Sequence, residues 1–140
     1  MSENSPQISP IDSGQLEKER KIKIWMIDDD DAMFASMSRN LRSRIDNLIF
    51  VNFPDGESAL AAIATEQPDI ILVDGDLGEG HKKGSEIVTE LKLLGVRAKI
   101  VAFSTTKDSN QAMMASGADL TIKKDYSGLK DIQELTKEIT

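Results

Sequence analysis

Several residue types that bind cations or take part in phosphoryl transfer follow directly after short apolar segments of this chain. Segment 22–27 is followed by Asp28 and Asp29, and segment 70–73 by Asp74 and Asp76. Segment 100–103 is followed by Ser104, and segment 120–122 by Lys124. Short apolar segments of this kind predict buried strands of a parallel sheet, and such sheets carry their working groups at the carboxyl ends of the strands. We therefore expect carboxylates, a hydroxyl and an ammonium group to meet at one edge, as a site for a metal and a phosphate.

The carboxylates of such a cluster would repel one another. Two carboxylates about 4 Å apart repel by roughly 4 kcal/mol at the effective dielectric constant of a protein surface. The cluster is therefore expected to have raised pKa values and to bind a cation readily. Ligands that are all oxygen suit Mg²⁺, with Mn²⁺ as a substitute. An aspartate beside that cation can accept a phosphoryl group, because the incoming negative charge is neutralised.

Each of these segments also has an ordinary interpretation when it is taken alone. An acidic run such as 28–31 is more often a solvated helix start, and residues 74–76 could form a simple turn. Residues 104–106 could cap a helix, and Lys124 could be a surface lysine. Only their common position at strand ends favours a shared site.

The apolar pattern alternates between strands and helices from residue 21 onward. It predicts a first helix over 31–45, strands at 48–53 and 98–103, and a fifth strand over 120–123. Five strand–helix units predict an α/β fold, a (βα)5 doubly wound parallel sheet of the flavodoxin-like type with strand order 2-1-3-4-5. In that order the loops after strands one and three lie side by side.

Composition limits the classes of function. The chain has 140 residues, 39% hydrophobic and 29% charged, which fits one globular domain over 21–140 after a flexible N-terminal tail at 1–20. The net charge of −7 and pI near 4.7 argue against nucleic-acid or membrane partners. There is no cysteine and no apolar stretch of the roughly 20 residues that a membrane span needs, so the expected location is the cytoplasm.

From about Lys21 to Thr140 the chain resembles the receiver domain of two-component response regulators. Five segments in family order carry the resemblance: Ile27–Asp30, Asp55–Leu60, Pro68–Asp74, Val101–Thr105, and Gly117–Asp119 followed by Lys124. The resemblance implies a receiver that takes a phosphoryl group from a histidine kinase or histidine phosphotransfer protein. It also implies a downstream protein partner on the face formed by helix 4, strand 5 and helix 5. Such a protein is no enzyme beyond its own phosphorylation and dephosphorylation.

The same resemblance implies roles for particular residues. Asp74 would be the phosphoacceptor. The Asp29 and Asp74 side chains and the Asp76 backbone carbonyl would hold Mg²⁺, with Asp28 assisting through water. Ser104 would hydrogen-bond the arriving phosphoryl group, and Lys124 would pair with it.

Several residues depart from the family pattern, among them Gly78 and Thr105 beside the three that follow, and the loop from Asp74 to Gly84 is about two residues longer than in the family. Asp76 adds an acidic side chain, which we expect to contact the metal directly or through water and to change the lifetime of the phosphoryl group. Asp125 stands in the place of a proline that follows the lysine. Thr121 stands in the place of an aromatic residue that usually reports activation, so the signal is expected to travel through Ser104 and the fourth helix.

Two other functions fit parts of the sequence. Residues 73–78 resemble the nucleophile motif of haloacid-dehalogenase-like phosphatases, but that motif should open the first strand, and here Asp28 and Asp29 precede it. The departures at Thr121 and Asp125 favour a receiver-like module that binds protein without phosphorylation. His81, the only histidine, is interpreted as an exposed loop residue.

Overall fold

The structure is a computed structural model that describes residues 20–139, so the tail expected over 1–20 lies outside the described residues except for Arg20. Five strands form one parallel sheet: β1 (Ile22–Ile27), β2 (Leu48–Phe53), β3 (Ile70–Val73), β4 (Lys99–Ala102) and β5 (Leu120–Thr121). Their order is β2-β1-β3-β4-β5. The expected fold class and strand order are confirmed.

A helix follows each strand: α1 (Asp31–Arg42), α2 (Gly56–Ala62), α3 (Gly84–Leu93), α4 (Lys107–Ala115) and α5 (Tyr126–Lys137). Four of these helices begin at a residue whose side-chain oxygen accepts a backbone N–H of the first turn, namely Asp30, Asp55, Thr106 and Asp125. These caps satisfy donors that have no partner inside the helix. Asp125, which departs from the family proline, thereby starts α5.

Alternate residues of the central strands enter two separate cores. Ile24 and Met26 of β1 belong to the core under α1 and α5, whereas Trp25 and Ile27 belong to the core under α2, α3 and α4. The strand is buried on both faces, which explains its continuous apolar sequence. Trp25 is only 1% exposed and its ring centroid lies 4.6 Å from that of Phe53.

Three elements are shorter than the sequence pattern predicted, and one of them is β4, which spans Lys99–Ala102 where 98–103 was expected. Helix α1 ends at Arg42, although Ile45 stays in the core, and Asn47 takes a left-handed conformation with φ of 58°. Asparagine tolerates that conformation, which turns the chain into β2. Strand β5 ends at Thr121 because it lies at the sheet edge and pairs only with β4.

The register brings the strand ends level with one another. Ile27 is paired with Val73, Val73 with Ala102, and Ala102 with Thr121. The residues that follow these positions therefore leave the sheet along a single edge. None of the helices within residues 20–139 has the length and apolar character that crossing a membrane requires.

Candidate functional site

Asp28 is the first residue after β1, and its carboxylate is buried. The Asp28 N–H donates to the Phe53 carbonyl at 3.0 Å, and the Asn52 side-chain amide donates to the Asp28 carbonyl at 3.0 Å. Oδ1 of Asp28 accepts the N–H of Asp30 at 2.9 Å. Both the backbone and the carboxylate of Asp28 are thus fixed by hydrogen bonds. Sequence reasoning did not single out Asn52, because its role depends on the pairing of β2 with β1.

Asp74 occupies the equivalent place after β3. Its N–H donates to the Ile27 carbonyl at 3.0 Å, and its Oδ1 accepts the N–H of Gly75 at 2.8 Å. Burial raises the pKa of Asp74, and the neighbouring charge of Asp28 raises it further, against the opposing effect of Lys124. The direction of this shift at Asp74 agrees with the raised pKa values expected for the cluster.

Lys124 leaves the sheet beyond β5 and reaches into the same site, where its side chain is 8% exposed. Its Nζ lies 2.5 Å from Asp28 Oδ2 and 3.4 Å from Asp74 Oδ1. Burial by itself would lower the pKa of Lys124. The hydrogen bond to Asp28 and the charge of Asp74 outweigh that effect, so the pKa is raised and the ammonium stays charged.

Three carboxylates at this edge are close enough to share a cation. Asp28, Asp29 and Asp74 each offer an oxygen, and these oxygens lie within 4.8 Å of one another. Opposite ligands of Mg²⁺ are about 4 Å apart, so small side-chain shifts would bring the three oxygens to coordination distance. Asp29 is exposed, which leaves room for the water ligands that Mg²⁺ keeps. The donor set therefore fits the expected cation.

The carboxylate of Asp76 is placed differently from the other three. It is exposed, and its Oδ1 accepts the N–H of Gly78 at 3.1 Å. Within residues 20–139 it is not part of the group formed by Asp28, Asp29 and Asp74.

Ser104 borders the site from the side of β4. A Cβ atom built on Gly75 would lie 3.4 Å from Ser104 Oγ, which places this hydroxyl beside the residue that follows Asp74. Ser104 Oγ accepts the N–H of Thr106 at 3.2 Å. Ser104 Oγ also lies 3.4 Å from Thr106 Oγ1, where either hydroxyl could be the donor. A serine hydroxyl can rotate, so its proton can be turned toward an anionic oxygen.

Asn110 was not recognised from the sequence and holds the backbone of Ser104. Its Oδ1 accepts the Ser104 N–H at 3.0 Å, and its Nδ2 donates to the Ser104 carbonyl at 2.9 Å. The only signal in the sequence is an amide side chain six positions after Ser104 in the first turn of α4. That signal is weak, because the contact depends on how the loop folds back.

Glu57 of α2 holds the loop that leads from Asp74 to α3. Its Oε1 lies 3.2 Å from His81 Nδ1, and its Oε2 accepts the Lys82 N–H at 3.2 Å. His81 is exposed, as predicted, and forms with Asp55 and Glu57 a second group of close ligand atoms. Side-chain atoms added at Gly78 would come within 4 Å of both Asp29 and His81, so the held loop passes beside the acidic cluster.

Comparisons with known proteins agree with this arrangement. The family model described as "Response regulator receiver domain" matches residues 24–139. A CheY-like receiver domain protein from Methanospirillum hungatei has a TM-score of 0.68 at 22% identity, covering 85% of this chain and 93% of its own. None of the curated proteins compared matches the chain.

Two further solved structures have the same fold. A response regulator receiver protein from Pseudoalteromonas atlantica has a TM-score of 0.70 at 17% identity, covering 84% of this chain and 99% of its own. The phosphorylated cyanobacterial phytochrome response regulator RcpA has a TM-score of 0.66 at 24% identity, covering 86% and 91%. At such identities the likeness establishes the fold.

Proposed function

The chain belongs to the response regulator receiver domain family, and from this membership we propose that it is a phosphorylation switch with Asp74 as the acceptor. One observation supports this proposal more strongly than any other. The oxygens of Asp28, Asp29 and Asp74 converge, and the Lys124 ammonium lies 3.4 Å from the Asp74 carboxylate. Transfer of an anionic phosphoryl group requires such an acceptor carboxylate, with an acidic pair that can hold a metal ion and a positively charged side chain beside it.

The donor in this proposal is the phosphohistidine of a histidine kinase or of a histidine phosphotransfer protein. An Asp74 carboxylate oxygen attacks phosphorus, the phosphorus–nitrogen bond breaks, and the departing imidazole nitrogen keeps the bonding pair and takes up a proton. The product is an acyl phosphate on Asp74. Hydrolysis restores the free carboxylate, because a water oxygen attacks phosphorus, the bond from phosphorus to the Asp74 oxygen breaks, and inorganic phosphate leaves with the water protons.

The side chains around Asp74 have separate proposed roles in this transfer. Asp29 and Asp74, with the backbone carbonyl of Asp76, hold Mg²⁺ or Mn²⁺, and Asp28 acts through water. The cation, when bound, neutralises charge on the phosphoryl oxygens. Lys124 is already beside Asp74 and pairs with one of those oxygens. The Ser104 hydroxyl turns to donate a hydrogen bond to another.

The direct test uses the full chain, Mg²⁺ and acetyl phosphate as a small phosphodonor, with intact mass as the readout. We expect the gain of one phosphoryl group, its loss in Asp74→Asn, and its loss when EDTA replaces Mg²⁺. Asp131→Asn is the matched control, because Asp131 is exposed on α5, away from the acidic cluster. A wild-type chain that stays unmodified would contradict the proposal.

The proposed output is a protein partner on the face formed by α4, β5 and α5. A groove of about 760 Å³ lies between α4 and β5, lined by Thr105, Gln111, Met114, Thr121 and Lys123 among others. Thr121 has a short side chain at the position where the resemblance implies an aromatic residue. This departure also favours the second candidate, a receiver-like module that binds its partner without phosphorylation.

Partner binding that is equal for wild type and Asp74→Asn, with and without phosphodonor, would favour the second candidate. Family membership argues against the phosphatase alternative. The cytoplasmic location and the domain limits expected from the sequence remain predictions.

A further inference from the structure

Helix α4 is connected to the acidic edge through the backbone of Ser104. The sheet ladder closes with the Phe103 N–H, which donates to the Val73 carbonyl at 2.9 Å. Ser104 is the next residue, and the amide side chain of Asn110 satisfies both its N–H and its carbonyl. The Asn110 side chain therefore forms the two backbone hydrogen bonds of Ser104 that a neighbouring strand would form if the sheet continued.

The segment between Ser104 and Asn110 is closed by further hydrogen bonds. The Ser104 hydroxyl accepts the Thr106 N–H, and the Thr106 hydroxyl accepts the Ser109 N–H at 3.4 Å as the cap of α4. The Asn110 N–H donates to the Thr106 carbonyl at 3.2 Å. Ser104 and the first turn of α4 thus form one hydrogen-bonded unit.

The same turn of α4 also contacts the loop that carries Asp74. A Cβ atom built on Gly75 would overlap Ser109 Cβ and lie 2.6 Å from Ser109 Oγ. A Cβ atom built on Gly84 would lie 2.8 Å from Met113 Sδ. Helix α4 is therefore in close contact with both ends of this loop. The backbone at Gly75 and Gly84 therefore has no empty space to move into on the side of α4.

We infer that Asn110 is a positioning residue that makes Ser104 and helix α4 move together when the Ser104 hydroxyl engages a phosphoryl group on Asp74. The inference rests on the proposed function and extends it to the transmission step. Because Asn110 binds the Ser104 backbone at both polar atoms, Ser104 cannot approach Asp74 without moving α4. Helix α4 also carries Met114 at the groove. A phosphoryl group on Asp74 would thereby change the position of Met114 at the proposed partner face.

The test follows the methyl group of Met114 by NMR in the full chain labelled at its methionines. Met114 is 40% exposed on α4 and takes no part in the contacts with Ser104. Acetyl phosphate and Mg²⁺ are added, and intact mass confirms how much Asp74 is phosphorylated. We expect the Met114 signal to shift in the wild type. In Asn110→Ala we expect the same modification of Asp74 with most of that shift lost.

A second measurement reports the contact itself in the unmodified chain. Hydrogen exchange of the Ser104 amide is expected to be roughly fivefold faster in Asn110→Ala, the effect of losing a hydrogen bond of about 1 kcal/mol. Asp108→Ala is the matched control, since Asp108 is exposed in the same first turn of α4 and is not among the residues that line the groove. It should keep both the slow Ser104 exchange and the Met114 shift. A general loss of stability would not separate the two variants in this way.

The possible outcomes test the role of Asn110 separately from the proposed phosphorylation of Asp74. A wild-type chain that gains no phosphoryl group overturns the proposed function and the transmission step together. A phosphorylated Asn110→Ala chain with the full Met114 shift overturns the transmission step alone. If Asn110→Ala does not fold, Asn110→Asp replaces it. That variant keeps an acceptor for the Ser104 N–H but loses the donor to its carbonyl, so we expect a partial loss of the Met114 shift, and an undiminished shift counts against the inference.

Discussion

The Lys124 ammonium nitrogen lies 2.5 Å from Asp28 Oδ2, and this carboxylate is one of the few charged groups that the fold removes from water. The side chain of Asp28 is 1% exposed and that of Lys124 is 8% exposed. A buried pair of this kind adds little net stability compared with apolar residues, but losing one partner leaves an isolated buried charge. Lys124 therefore has a structural role that is separate from its proposed role in phosphoryl transfer.

Lys124→Met is expected to lower the free energy of unfolding by about 3–5 kcal/mol in the metal-free protein at neutral pH. The change keeps an apolar chain of similar length and removes the charge that compensates Asp28. Urea unfolding measures the effect. Lys123→Met is the control, because Lys123 is exposed, and it should change the free energy by no more than about 0.5 kcal/mol. Equal effects of the two substitutions would show that Asp28 does not depend on Lys124.

Asp74→Asn is expected to stabilise the metal-free protein at pH 7. The pKa of Asp74 is raised by burial, so the folded state binds its proton more tightly than the unfolded state does. Stability from this group is complete below the unfolded pKa of about 3.9 and is lost as the pH rises through the folded pKa. Asparagine has no proton to lose, so its advantage should appear at neutral pH and shrink toward pH 3.5.

Urea unfolding in EDTA at both pH values measures the difference between Asp74→Asn and the wild type. An asparagine variant that is less stable than the wild type at pH 7 would mean that Asp74 contributes favourably as a charged group. The raised pKa would then be the wrong description of the site.

Mg²⁺ is expected to stabilise the folded chain, because the unfolded chain does not gather the three carboxylates. At a concentration one hundred times its dissociation constant the gain is about 2.7 kcal/mol. Thermal unfolding with increasing Mg²⁺ measures the gain. Asp29→Asn should lose most of it, whereas Asp31→Asn should keep it, since Asp31 is exposed in the first turn of α1 and outside the cluster. A midpoint that does not respond to Mg²⁺ in the wild type would count against the cation site.

Gly75→Ala is expected to lower the free energy of unfolding by about 1–3 kcal/mol, because the new methyl group would collide with Ser109. Ser109→Gly should relieve the collision. In a double-mutant cycle the paired variant should therefore be more stable than the sum of the two single changes indicates. Strictly additive effects would mean that Gly75 and Ser109 are not in the close contact described.

Much of the site could be predicted from the sequence because it depends on strand ends. Asp28, Asp74, Ser104 and Lys124 follow apolar segments, and the register of a parallel sheet brings such positions to one edge whatever the helices do. The position of the Asp76 side chain could not be predicted in this way. Its carboxylate binds the N–H of Gly78, which is a property of the local turn.

The contacts of Asn110 and Glu57 were missed for a related reason. Each side chain contacts a segment of the chain whose position depends on the conformation of a loop. Neither asparagine nor glutamate is unusual in the first turn of a helix, so neither residue type draws attention in the sequence. The helix limits show the same pattern on a smaller scale. Ile45 fits the apolar period of α1 and is buried, yet the helix ends at Arg42 because the chain must turn through Asn47 into β2. Apolar spacing predicts which residues are buried better than it predicts where the helix ends.

The loop between Asp74 and α3 is held by the two bonds that Glu57 makes to His81 and Lys82, and Glu57 is not one of the residues proposed to take part in phosphoryl transfer. The held loop passes beside the acidic cluster, so a weaker tether is expected to let water reach a phosphoryl group on Asp74 more easily. Glu57 belongs to α2 and is not part of the group formed by Asp28, Asp29 and Asp74. In the proposed switch, replacing this one side chain would therefore shorten the memory of the signal without changing the residues that carry out the transfer.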